Sequence, residues 1–449
     1  MAGSEARTGA DGAAGMRTTI ASRLTRHARD PLFANAYALV ANTGVTALLG
    51  FAYWVTAART YAAASVGAAA AAISAMSLLA GLAQFNLEAV MVRFVPVAGR
   101  RTRRLVAAVY VFCAAAAAIA AAAFLVGLDL WAPTLGFLRD GGWGPWFVVA
   151  TVAWVIFVLQ DGILVGLGKA IVIPVENAAY GVTKLALLLA LVGGGPLALF
   201  ASWTVPVALV VVPTSALIFA RFLPRHEQTA GEAAPPDIRT VVRYAGADYA
   251  GAMLELGTVS LLPLLVLQRA GPAENAYFYQ CWIIAYTLIL VANNTTRSLT
   301  VQAARDPNRL QADARRLLRQ TLWLLLPAAL ALVVLAPVLL SVFGEAYAAA
   351  GTVQLRLLAL ASIPHAIVLI GLVTARIGHR LREVVAIQGA TAAVALGGAV
   401  LLVGPSGGVG VATAWLIAQT AVAAVLLATR LSWLWRPRQP PEPARAAIR

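Results

Sequence analysis

Cysteine is nearly missing from this chain of 449 residues, and the two present, Cys113 and Cys281, both fall inside long apolar stretches. Thiols so placed exclude a disulfide framework and give no ground for redox chemistry. Lysine is scarce too, with 2 Lys against 32 Arg. Charged residues make up only 12% of the chain, too few to solvate a soluble protein of this length. Short alternating segments of about ten residues are lacking, which excludes a transmembrane barrel. Also lacking are a metal-ligand cluster, a phosphate-cradling glycine loop and a nucleophile motif in its required context. Gly193-Gly194-Gly195-Pro196 follows no strand pattern and precedes no Lys-Thr or Lys-Ser, so it reads as a turn. No enzyme chemistry, metal or resident cofactor is expected.

What is present is apolar: 61% of the residues are hydrophobic and mean hydropathy is +0.80, so the bilayer must be the solvent. Runs of about 20 residues, the length that crosses a hydrocarbon core, lie near 34–57, 66–92, 105–127, 145–168, 173–193 and 197–221. Six more lie near 244–268, 276–296, 320–343, 352–373, 384–403 and 408–429. The expected fold class is an all-α integral membrane protein of twelve transmembrane helices.

The 34 basic side chains orient these spans. Twenty-eight lie in the tails and the even-numbered gaps, three (Arg59, Arg139 and Arg269) in the odd-numbered gaps, and three inside apolar runs. Positive charge collects on the cytoplasmic side, which predicts that both termini are cytoplasmic. The net charge of +15 is then an orientation signal rather than a nucleic-acid footprint. Residues 1–30 hold five Arg without an apolar core before a cleavage site, and read as a cytoplasmic disordered tail. Arg excess and abundant alanine fit a GC-rich bacterial genome and a multi-pass protein of the bacterial plasma membrane.

The stretch 223–243, with Gly231, Pro235 and Pro236, has a linker's composition. It divides an N-lobe, 31–222, from a C-lobe, 244–430, and 431–449 forms a second cytoplasmic tail. Six spans per lobe give both lobes the same orientation. Sliding the chain by 213 residues sets Ala41-Asn42-Thr43-Gly44 on Leu254-Glu255-Leu256-Gly257, and Gly50 on Pro263. This places a helix-perturbing residue at corresponding depths of the first helix in each half, and interrupted helices in matching positions point to a site between repeats.

Charges inside hydrocarbon cost several kcal/mol and face a partner or a wet path. Asp248 and Glu255, nearly two turns apart on span seven, share a face. They suit a coupling H+ or Na+, or a counter-charge on a cargo. Span one offers Asn35, Asn42 and Thr46 on one face. Span two offers Glu88 beside Gln84, with Arg93 able to snorkel. Span eight carries Tyr279, Tyr286 and Asn293 seven apart, then Arg297; hydroxylated rings suit sugar faces and a guanidinium suits phosphate. Glu176, Tyr180, Thr183 and Lys184 form a polar stripe on span five, expected to pair with neighbours. Arg356 and His365 on span ten read as structural.

Phe343-Gly-Glu-Ala-Tyr-Ala-Ala-Ala-Gly351, Leu355 to Pro364, Ala58-Arg-Thr-Tyr61 to Gly67, Arg93-Phe-Val-Pro96 and the Gly407-to-Gln419 run together give the chain a likeness to a known family. It resembles the oligosaccharide-lipid flippases of the multidrug/oligosaccharidyl-lipid/polysaccharide (MOP) exporter superfamily, over nearly its whole length. The resemblance implies two six-helix lobes in a V, with helices one, two, seven and eight lining a cavity. Its cargo would be a polyprenyl-pyrophosphate-linked oligosaccharide moved to the outer leaflet for surface polysaccharide synthesis. Polymerase and glycosyltransferase partners, and membrane lipids, come with that reading. On those helices this sequence offers Asn35, Asn42, Glu88, Arg93, Asp248, Glu255, Tyr286, Asn293 and Arg297. An ion-coupled multidrug or organic-cation antiporter of the same fold is the alternative. A membrane glycosyltransferase would need acids in a sizeable outer loop, and the longest outer gap offers only Asp129 and Asp140.

Overall fold

A computed structural model of the chain describes residues 31–229, 238–246, 249–305 and 310–431. The first expected tail, all but Leu431 of the second, the middle of the linker (230–237) and Asp248 lie outside these residues. Asn35 and Arg297 are placed by helix backbone alone.

Hydrocarbon offers no partner to a peptide group, so apolar runs of this length must satisfy their own N–H and C=O groups in helices. All regular structure among the described residues is helical. The long helices are α1 (Pro31–Thr60), α2 (Ala63–Gln84), α3 (Thr102–Val126), α4 (Trp143–Gly166), α5 (Val172–Ala190) and α6 (Gly195–Leu217). The second half supplies α7 (Tyr249–Ala270), α8 (Pro272–Arg305), α9 (Leu310–Ser341) and α10 (Glu345–Ile377). It ends in the run Leu381–Thr429, which Gly407 at φ +54° breaks into α11 (381–406) and α12 (408–429). Among the described residues nine helical stretches, this broken run counted as one, are long and apolar enough to cross a membrane.

Contacts between connecting segments sort them by end. Arg59 donates to the carbonyls of Ser341 and Val342, Tyr61 to that of Leu188, and Asn275 to that of Gly67; these join odd-numbered gaps. At the other end the Arg103 N–H donates to Glu227 and Arg430 pairs with Glu383. The gaps that carry Arg100, Arg101, Arg103 and Arg104 therefore share the basic end of the molecule.

The two halves pack alike. α1 lies on α5 as α7 lies on α11, α3 packs on α4 as α9 packs on α10, and α2 joins α8 across the middle. Buried Tyr53, Phe147 and Phe200 centre the first half's core, and Phe278, Trp282 and Trp415 that of the second.

Helix continuity differs from what the helix-perturbing residues alone suggest. α1 and α7 run unbroken through Gly50 and Pro263, because membrane helices tolerate such residues where neighbours re-satisfy the freed backbone. The break falls instead in span two, where Phe85 and Asn86 take φ of +50° and +57° and the chain resumes as a short helix, Leu87–Phe94. Part of the expected linker is also helical: α6 passes through a π-turn, Ile218–Phe222, into Leu223–Thr229.

Candidate transport site

The second half holds a polar chamber. Glu255 and Thr258 from α7, Tyr286 from α8, His365 from α10, Gln388 and Thr391 from α11, and Trp415 and Gln419 from α12 enclose about 20 Å³. Glu255 Oε2 accepts from Gln388 Nε2 at 2.9 Å. His365 Nδ1 lies 3.1 Å from Gln419 Oε1, and because that oxygen can only accept, Nδ1 donates. The imidazole stacks on Trp415, centroids 6.5 Å apart, and its Nε2 is buried without a hydrogen-bond partner. A volume of this size takes about one water or one bare monovalent cation, and no larger cargo.

The first half ties the corresponding helices with a neutral pair and carries a buried positive charge on the same fifth helix. Asn177 Nδ2 of α5 donates to Asn42 Oδ1 of α1 at 3.1 Å. Asn42 is the residue that the 213-residue offset sets on Glu255, so each half ties its first helix to its fifth by a side-chain amide. Nearly two turns further along α5, buried Lys184 points its ammonium at three rings: 4.0 Å from the centroid of Trp203, 4.7 Å from Tyr180 and 5.1 Å from Tyr53. Tyr53 is itself fixed by a 2.8 Å hydrogen bond with Ser202. Cation–π attraction at three desolvated faces holds the charge, and no carboxylate pairs with Lys184 among the described residues. Glu176, two turns away, has both carboxylate oxygens buried and unpartnered.

Between the halves, α2 is clasped at both ends. At the odd-gap end a Cβ on Gly67 would lie 1.7 Å from the Pro272 carbonyl oxygen, so only glycine permits this approach of α2 to α8. At the basic end Tyr249 donates to the Leu82 carbonyl at 2.8 Å, an acceptor released by the Phe85–Asn86 break, and its ring stacks on Phe85. Midway, Trp54 of α1 meets Tyr279 of α8 edge-on at 5.1 Å.

Of the residues singled out from sequence, Glu255 and Tyr286 come together in the chamber. Asn42 lies within the first half, bonded to Asn177. Glu88 packs against Gly162 of α4 and accepts from Gln84 at 3.4 Å. Arg93 is exposed, its guanidinium 5.8 Å from the Phe94 ring centroid; Asn293 is half-buried on α8. His365, Gln388 and Gln419 were missed as a group. Sequence alone gives one signal for them: three polar side chains on otherwise apolar spans.

No protein-family model and no curated protein sequence matches the chain. Its fold matches solved structures. An inward-facing multidrug resistance MATE family transporter of the MOP superfamily superposes with a TM-score of 0.64 at 14% identity, covering 88% of this chain and 98% of that one. The lipid II flippase MurJ, in an inward closed conformation, gives 0.66 at 12% identity, covering 88% and 87%. A MOP superfamily transporter from Pyrococcus furiosus gives 0.60 at 14% identity, covering 91% and 97%. The protein is therefore a multi-pass membrane protein with the fold of MOP-superfamily transporters and flippases. Its structural neighbours are transporters rather than enzymes.

Proposed function

We propose that the protein is a flippase that carries polyprenyl-pyrophosphate-linked oligosaccharide from the inner to the outer leaflet of a bacterial plasma membrane by alternating access. Two six-helix lobes, 31–222 and 244–430, rock about the α2 seam, with twelve crossings and both termini in the cytoplasm. Arg93 and Arg297 engage the pyrophosphate at the cytoplasmic mouth through bidentate contacts. Tyr286, Asn293, Asn35 and Asn42 face the passing glycan, and Glu255, with Asp248, couples the cycle to H+ or Na+. Polysaccharide polymerase and glycosyltransferases are the expected partners.

Lys184 is the observation that carries the choice of cargo. An aromatic cage is the usual receptor for an organic cation, and here the cage is filled by the chain's own ammonium. A cationic drug would meet like charge there, whereas an anionic lipid carrier meets none. Buried Glu176 and half-buried Glu255 support the second reading, antiport of an organic cation.

Vesicles containing the purified protein and labelled lipid-linked oligosaccharide separate the two readings. Flipping of the glycolipid that is lost in Glu255→Gln supports the proposal. Glycolipid that stays in its leaflet, with a hydrophobic cation driven out against an ion gradient, supports the second. Flipping that survives intact in Glu255→Gln removes the coupling role.

A further inference from the structure

A cavity of about 960 Å³ opens at the basic end between α9, α10 and α12, apart from the chamber and the α2 seam. That volume is at the upper end of small-molecule pockets. Its polar and apolar groups are ordered by depth. The first turns of α9 bring Arg315, Arg316 and Arg319 to its mouth, with Asp313 as the lone acid. Trp323 and Leu326 follow one and two turns below Arg319, about 6 and 10 Å further along the axis, with Ile367 and Leu427 closing the sides. Arg316 and Arg319 are exposed and make no ion pair among the described residues, including with Asp313. Trp323 is 76% exposed, an indole set at the step between the charged and apolar levels, where such rings anchor.

We propose that this groove binds one anionic phospholipid of the cytoplasmic leaflet, its phosphate on Arg316 and Arg319 and its acyl chains along Trp323, Leu326 and Leu427. Basic pockets between transmembrane helices on the cytoplasmic side take such head groups. The assignment uses the orientation proposed above but none of the transport chemistry. Charge excludes the obvious internal occupant, because residues 432–449 hold four Arg and one Glu and would meet a mouth of the same sign. The corresponding level of the first half is covered by protein: the helix Leu223–Thr229 packs along α3 there, with buried Leu223 inward and Glu227 accepting from the Arg103 N–H. The second half has no such cover among its described residues.

Native mass spectrometry of delipidated full-length protein, titrated separately with phosphatidylglycerol, cardiolipin, phosphatidylcholine and a polyprenyl phosphate, tests this. One anionic phospholipid is expected to be retained in preference to phosphatidylcholine. Arg316→Gln/Arg319→Gln is expected to weaken its retention roughly thirtyfold, at about fivefold for each basic side chain near an anionic head group. Arg316→Lys/Arg319→Lys, which keeps the charge, should retain most of the binding, and Arg100→Gln/Arg101→Gln at the same end should leave it unchanged. Equal retention of phosphatidylcholine, an unaffected Gln variant, or binding confined to polyprenyl phosphate would each overturn the proposal. Loss of flipping with these lipid results intact would count against the transport reading alone.

Discussion

Lys184 is held by aromatic faces rather than by an ion pair among the described residues. A buried ammonium without a carboxylate is costly unless something replaces its hydration, and the faces of Trp203, Tyr180 and Tyr53 do so. Truncation should then empty a receptor. Lys184→Ala is expected to gain stabilisation by a quaternary ammonium ion, read as a rise in melting temperature with added ligand, while the parent protein shows none. An equal response from both would mean that the cage is not the binding place. Glu255 is the opposite case: its carboxylate depends on a donor from another helix. Gln388→Leu should remove that donor from the half-buried acid, at a cost of about 1 kcal/mol, seen as a lowered melting temperature together with loss of flipping. Stability and flipping both at parent level would show that Gln388 does not hold Glu255.

The long apolar helices were legible because a bilayer admits one solution for an apolar run of some 20 residues, and clusters of arginine mark several of the places where a run stops. Faces within the spans were harder to read. Toward lipid and toward protein alike the side chains are Leu, Val and Ala, so periodicity does not say which face looks inward; Gln388 and Gln419 could not be assigned to Glu255 and His365 for that reason. The offset of 213 residues did carry information, since Asn42 and Glu255 occupy equivalent places. The break at Phe85–Asn86 was illegible, as neither residue is glycine or proline and the strain is held by contacts from outside the helix. Tyr249 is one of those contacts, and its hydroxyl caps the Leu82 carbonyl. Tyr249→Phe should weaken the basic-end clasp by about 1 kcal/mol, roughly fivefold in the closed population. A cysteine at position 82, labelled with and without the Tyr249 change, should react faster in the variant; no change in rate would remove Tyr249 from the clasp. At the far end Gly67→Ala should force α2 and α8 apart, because the atom met is backbone and cannot turn aside.

For the whole molecule, the arrangement of charge and the arrangement of contacts agree on which segments share an end. Arg103 meets Glu227 through its N–H, and Arg430 meets Glu383, while Arg59 reaches the loop after α9 at the other pole. Contacts fix the pairing of the gaps but not the side of the membrane, since a molecule inverted in the bilayer would keep every one of them. Only the charge count supplies the direction, through the cost of moving arginines across. The two native cysteines are buried, so an introduced thiol reports with little background. Arg139→Cys, at an exposed position on the odd-gap side, should react with a membrane-impermeant maleimide in intact cells. Cysteine at 100 should react only after the membrane is opened. The reverse pattern would invert the direction of transport proposed here and place the basic groove in the other leaflet. Labelling of both positions in intact cells would mean that the alternate gaps do not lie on opposite sides of the membrane.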